Sequence, residues 1–138
     1  MREILRAARH ESKGANLVEM VLVVFLLMAV LAGLVDIGRV FHSWTVVTNA
    51  SREGARCAAR FPYLETEIKQ AALQEAAGSN VLLYESNVTV IGLNAAKGQP
   101  IRVKVTYPFQ TILGGVIGVG SVITLTGSTE MITFGLDV

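Results

Sequence analysis

The stretch ANLVEMVLVVFLLMAVLAGLVDIGRVFHSWTVVTNASREGARCAAR, residues 15–60, decides the fold. Neither Pro nor a loop-forming cluster interrupts it. From Met20 to Val35, 16 residues pass without a charged or strongly polar side chain. Counting from Ala15, with Asn16 and Glu19 tolerated, the apolar segment is 21 residues long. A helix crosses the ~30 Å of bilayer hydrocarbon with about 20 such residues. After Asp36 the pattern turns amphipathic: Ile37, Val40, Phe41, Trp44, Val47, Ser51, Gly54, Ala58 and Phe61 recur at helical steps of three and four. Arg39, His42, Asn49, Arg52, Arg56 and Arg60 fall largely on the other side. One continuous helix over 15–60 follows, roughly 70 Å long at ~1.5 Å per residue. Its first half is membrane-spanning to about residue 35, and Pro62 ends it, because the residue before a proline is driven out of helical geometry.

The stripe changes character along the way. Phe41 and Trp44 are bulky, whereas Ala50, Ser51, Gly54, Ala55, Ala58 and Ala59 are small. Small side chains allow close backbone approach, so this part is expected to lie on a sheet; an ordinary Ala-rich helix explains the same letters. A second helix is expected over 64–77, with Ile68, Ala72, Leu73 and Ala76 inward and Glu65 and Glu67 favouring its positive end. Gly78 is the expected stop.

The period then becomes two. Ile101-Arg102-Val103-Lys104-Val105-Thr106-Tyr107 alternates strictly, the mark of a half-buried strand. Val81 to Ile91 and Val122 to Phe134 are the other strand candidates, with Gly92 to Pro100 as a turn and Gly127 as a bulge or kink. The apolar, glycine-rich 113–120 reads as a loop, either facing a partner or the membrane or tucked into the core. The expected fold class is α+β: a long N-terminal helix packed on a small three-stranded antiparallel sheet, with a second short helix. The organisation is a leader over 1–14, the long helix over 15–60 and a globular part over 61–138.

Composition agrees with an anchored chain. The apolar share is 51% and mean hydropathy is +0.50, high for a wholly soluble domain of 138 residues. Net charge is +1, and Arg2, Arg6, Arg9 and Lys13 exceed Glu3 and Glu11 by two, which leaves −1 for the rest. The positive-inside rule sets the amino terminus in the cytoplasm and the remainder across the membrane. No basic surplus points to nucleic acid. A removed secretory signal competes with this reading, since Val30-Leu31-Ala32 resembles a weak cleavage site before Gly33. Against it stand the length of the apolar core, the interruption at Glu19 and the helical pattern that continues past the core. An uncleaved anchor is the other alternative.

Little in the chain supports catalysis or a cofactor. His10 lies in the leader, and His42 has no Cys or acid at metal-ligand spacing. The glycines of 114–120 lack the Lys-Ser/Thr of a phosphate loop. Cys57 is the single cysteine, so no internal disulfide is possible; it reads as a small packing residue or an intermolecular thiol. Arg52, Arg56 and Arg60 make a positive ridge, read as a solvated face or as a contact for an acidic neighbour. No cofactor and no metal is expected, and the chain is not read as an enzyme.

Gly14-Ala15-Asn16-Leu17-Val18-Glu19-Met20, the apolar helix, Asp36-Ile37-Gly38-Arg39 and Ala50-Ser51-Arg52-Glu53-Gly54-Ala55-Arg56 together resemble the TadE-like minor pilins of the tight-adherence branch of type IV pilus systems. The pattern covers residues 10–60. The leader is longer and more charged than the shortest family examples, and Met20 stands where main pilins of this branch usually carry Tyr. The resemblance implies cleavage by a prepilin peptidase between Gly14 and Ala15, with Glu19 as the carboxylate needed for processing or assembly. It also implies other pilin subunits and inner-membrane lipid as partners, with helix packing or partner contacts at Asp36, Arg39, Trp44 and Gly54.

Overall fold

A computed structural model describes the backbone of residues 2–118 and 120–134 and the side chains of residues 14–115, 118 and 120–134. The charges of the expected leader, Arg2, Arg6, Arg9 and Lys13 among them, lie outside the described side chains. The fold is α+β, with the long helix and a second helix on one face of a three-stranded antiparallel sheet.

Helix α1 runs Arg2–Arg60, so it passes through Gly14 where the sequence pattern placed a start at Ala15. Its 59 residues correspond to roughly 90 Å at ~1.5 Å per residue. It closes with the Phe61 amide on the Cys57 carbonyl at 2.9 Å, immediately before Pro62. Helix α2 (Glu65–Ala76) buries Ile68, Ala72 and Ala76. Lys69 reaches back to Glu65 at 2.6 Å, one turn away on the same surface. Gly78, at φ +83°, turns the chain out of the helix.

The strands β1 (Val88–Ile91), β2 (Pro100–Gln110) and β3 (Val122–Ile132) lie in the order β1-β2-β3. Ile101, Val103, Val105 and Phe109 point inward from β2 and are buried, as the alternation requires. Arg102 faces outward and pairs with Glu130, its direct register partner on β3, through Nε at 3.0 Å. Pro108 is tolerated inside β2 because β1 pairs only with residues 102–105, so one side of β2 is free of a ladder there.

Three local expectations change. The first strand is shorter than Val81 to Ile91. Asn87 accepts from the Tyr84 amide at 2.9 Å and donates its own amide to the Tyr84 carbonyl at 2.9 Å, so a 3₁₀ turn over Glu85–Asn87 interrupts it. Gly127 is no bulge, because the β2–β3 register runs without an offset from Pro100↔Ile132 to Gln110↔Val122. Glycine stands there because α1 lies on it: an added Cβ would sit 2.6 Å from the Val47 carbonyl oxygen. The third change is in the apolar 113–120 segment, which holds a short helix, α3 (Ile112–Ile117), ended by Gly118 in the left-handed region. Val119 lies outside the described residues.

The core explains the small side chains of α1. Val47, Ala50, Ala55 and Ala58 are fully buried with Ile68 and Ala72 of α2 and with Ile101, Val103 and Val105 of β2. Ser51 is also fully buried; its hydroxyl lies 2.8 Å from the Thr48 carbonyl and 2.8 Å from the Thr129 hydroxyl of β3. The chain end returns to the same helix, with the Phe134 amide donating to the Ala59 carbonyl at 2.9 Å. The carboxyl third of α1 is thus fixed to the sheet, and the rest of the helix projects from it.

Candidate functional site

The projecting part of α1 buries almost nothing. Phe25 is 73% exposed, Met20 66%, Leu26 64% and Leu34 59%. A soluble surface does not carry a contiguous apolar sleeve of this extent. Among the described residues, one helix is long and apolar enough to cross a membrane. Gly14, Ala15 and Glu19 are exposed at the start of the sleeve, and nothing lies within 4 Å of the position a Gly14 side chain would take. Glu19 is four residues beyond Ala15, which puts both on one helix face, a turn apart.

At the other end of the sleeve the helix meets the sheet, and Asp36 is the joint. It is only 7% exposed. Its carboxylate accepts the Ile112 amide at 3.0 Å and the Leu113 amide at 2.8 Å, the first two amides of α3. Helix N-termini leave such amides without intrahelical partners and favour negative charge. No α3 side chain caps them, so Asp36 of α1 does so across the fold. Arg39 donates to the same carboxylate at 3.2 Å, and its guanidinium lies 5.0 Å over the Phe109 ring.

Trp44 is 47% exposed and Phe41 67%, with ring centroids 6.2 Å apart. With Ile37, Val40, Thr111 and Ile123 they line an open apolar groove of about 470 Å³ beside Asp36. His42, on another side of α1, bonds the Ser79 carbonyl at 3.1 Å. Gly54 lies inside the fold: a Cβ there would meet Val103 at 3.0 Å and Ala72 at 3.3 Å. The residues singled out from the sequence therefore fall into three places. Gly14, Ala15 and Glu19 stand at the start of the apolar sleeve, Asp36, Arg39 and Trp44 gather at the joint, and Gly54 sits in the core. What the sequence reading missed is that α3 is the contact of Asp36. The apolar 113–120 segment was the signal, and its Leu113 amide bonds Asp36 of α1.

Arg52, Arg56 and Arg60 are exposed, and Arg56 pairs with Glu53 at 3.3 Å. Cys57 is half-buried against the core. Burial pushes its thiol up from the ordinary range, Glu67 and Glu53 push it the same way, and Arg60 opposes them. No group of three His, Cys, Asp or Glu side chains able to hold a metal occurs among the described residues.

These features define a class: a protein whose long helix carries an exposed apolar sleeve and a small sheet domain at its far end. The family model for TadE-like protein matches residues 14–56, so the helix of this chain is similar to that family. The match begins at Gly14, contains the whole sleeve with Glu19 and the Asp36 joint, and stops short of the sheet. No curated protein and no solved structure matches the chain.

Proposed function

We propose that the chain is a pilin-like structural subunit of a tight-adherence pilus assembly system, not an enzyme. The observation that carries this is the TadE-like match, which starts at Gly14 and runs through Glu19 and the exposed sleeve. A prepilin peptidase cuts between Gly14 and Ala15. Glycine is, after proline, the poorest helix former, so Gly14 lowers the cost of opening α1 at the cut. The cut leaves a cationic amine on Ala15 at the membrane edge. The Glu19 carboxylate, one turn on, pairs with it or with the amine of a neighbouring pilin subunit. Pairing offsets much of the desolvation of both charges and fixes the axial register between helices. The amino terminus is cytoplasmic, the helix spans the inner membrane, and the sheet domain stands on the far side as an accessory head in the fibre or at its base.

Intact mass spectrometry of protein extracted from its native membrane tests the cleavage. The expected product begins at Ala15 and lacks the 14 leader residues. A precursor-length chain in functioning fibres overturns it, and favours an uncleaved anchor that recruits partners. Glu19→Val is expected to leave the sheet domain folded while assembly is lost; normal piliation in that variant refutes the pairing.

A further inference from the structure

The sleeve is shorter than a bilayer, and the sheet domain overlaps it. Met20 to Val35 is 16 residues, about 24 Å of helix against ~30 Å of hydrocarbon. With Glu19 at one hydrocarbon edge, about 20 residues bring the other edge to the level of Arg39, a turn beyond Asp36. Asp36 would then be a carboxylate inside the boundary, which is costly unless it is bonded and shielded. It is both, and α3 supplies the amides.

That bonding fixes the height of α3. Leu113 reaches to 3.9 Å from the side-chain position of Gly33, which belongs to the apolar sleeve itself. The hairpin end carrying α3 therefore lies beside the last turn of the sleeve. Its sequence, ILGGVI over 112–117, has no polar side chain. Around it, Ile112 is 47% exposed, Val122 53% and Ile123 44%, and on α1 Ile37 and Phe41 are each 67% exposed. These residues continue the apolar face of the sleeve outward, and Trp44, an interface-seeking aromatic, follows them.

We infer that α3 and the β2–β3 hairpin end form a lipid-seated foot: Ile112, Val122, Ile123, Ile37 and Phe41 rest at the acyl–headgroup boundary. The occupant of the apolar groove is lipid, argued from its continuity with the sleeve at the same axial level. The foot adds the apolar height that Met20 to Val35 lacks, and its Ile112 and Leu113 amides keep the Asp36 carboxylate bonded at the edge of the groove. The inference rests on the reading of α1 as a membrane span.

The test uses the full-length chain with Cys57→Ser, reconstituted in phosphatidylethanolamine–phosphatidylglycerol vesicles. Single spin labels are placed at Leu27→Cys in the sleeve, Ile123→Cys in the foot and Thr89→Cys on β1. Thr89 pairs with Lys104, six residues along β2 from Gln110, so it is about 20 Å from the hairpin end. The expected result is a ratio of oxygen to nickel-complex collisions several-fold higher at 123 than at 89, with 27 highest. A ratio at 123 equal to that at 89 overturns the inference, because the foot is then in water. Shielding of 123 from both reagents also overturns it, because protein then covers the groove. A water-like ratio at 27 refutes the span itself, which separates the two failures. Trp44, the one tryptophan of the chain, gives a label-free second reading. Lipids brominated near the carbonyl end are expected to quench it more than tail-brominated lipids, and absence of quenching by either overturns the foot.

Discussion

Replacing Gly127 with Ala is the sharpest test of how α1 sits on the sheet. The added methyl would lie 2.6 Å from the Val47 carbonyl oxygen, 2.9 Å from its carbon and 3.0 Å from the Thr48 Cα. Ordinary contact begins at 3.4 Å, so the helix must retreat by about 0.8 Å, and all three obstacles are backbone. A radial gap of ~0.5–1 Å forfeits a quarter to a half of each dispersion contact it opens. The contacts at risk are those of Val47, Ala50 and Ser51, all fully buried. Overpacking of this kind costs about 3 kcal/mol. Gly→Ala alone has the opposite sign, a gain of about 0.4–1 kcal/mol through the unfolded chain. A net loss of about 2 kcal/mol lowers the Tm of a domain this small by roughly 8–16 °C. The assay is thermal unfolding of the detergent-solubilised full-length protein followed by near-UV circular dichroism and Trp44 fluorescence. Gly115→Ala is the control: it is helical with nothing within 4 Å, so Tm should hold or rise. A Gly127→Ala protein that melts with the wild type refutes the close approach of helix and sheet.

Four further outcomes follow from the same geometry. At Gly54→Ala the two tight contacts are side-chain methyls, of Val103 at 3.0 Å and Ala72 at 3.3 Å, and the Ile68 carbonyl oxygen lies at an ordinary 3.5 Å; with a gain of up to ~1 kcal/mol in helix propensity, its Tm loss should be smaller than that of Gly127→Ala. Ser51→Ala removes the buried partner of the Thr129 hydroxyl and should cost about 1–2 kcal/mol, read from denaturant midpoints. Adding Thr129→Val should recover part of that loss, and strict additivity would refute the coupling. Asp36→Ala should speed hydrogen exchange at the Ile112 and Leu113 amides while the Val103 and Val105 amides stay protected; unchanged exchange at Leu113 refutes the capping. Cys57 should react with iodoacetamide more slowly than a free thiol at mildly alkaline pH, because the raised thiol pKa leaves less thiolate. Glu67→Gln should speed the reaction, and no change would remove Glu67 as a cause.

The elements with a clean period were readable from the letters. From Val47 onward the recurrence of α1 marks a buried face that meets the face set by the alternation of Ile101 to Tyr107, whereas Ile37, Phe41 and Trp44 of the same recurrence are exposed. The reading failed where local chemistry or a distant residue overrides the period. Val81 to Ile91 looks like one strand, but the Asn87 side chain closes a turn on Tyr84 and leaves only Val88–Ile91 to pair. Gly127 read as a bulge because a strand glycine has two physical causes, and the second, a helix backbone above it, lies 80 residues away in sequence. Of the site, Gly14, Ala15 and Glu19 were visible as a short pattern beside an apolar run. Asp36 was visible only as a polar residue at the end of that run. Its engagement with α3 joins positions 76 and 77 residues apart, and nothing local in ILGGVI announces a helix that waits for a carboxylate.

The unbroken passage of α1 from the sleeve into the sheet makes the head a rigid extension of the rod. Rotation of the projecting shaft is therefore transmitted to the strands without slack. Each residue inserted into the sleeve would swing the head by about 100° and raise it by about 1.5 Å. Whatever clasps the shaft thus decides which flank of the head, the Arg102–Glu130 side or the Arg52–Arg60 side, a neighbour meets.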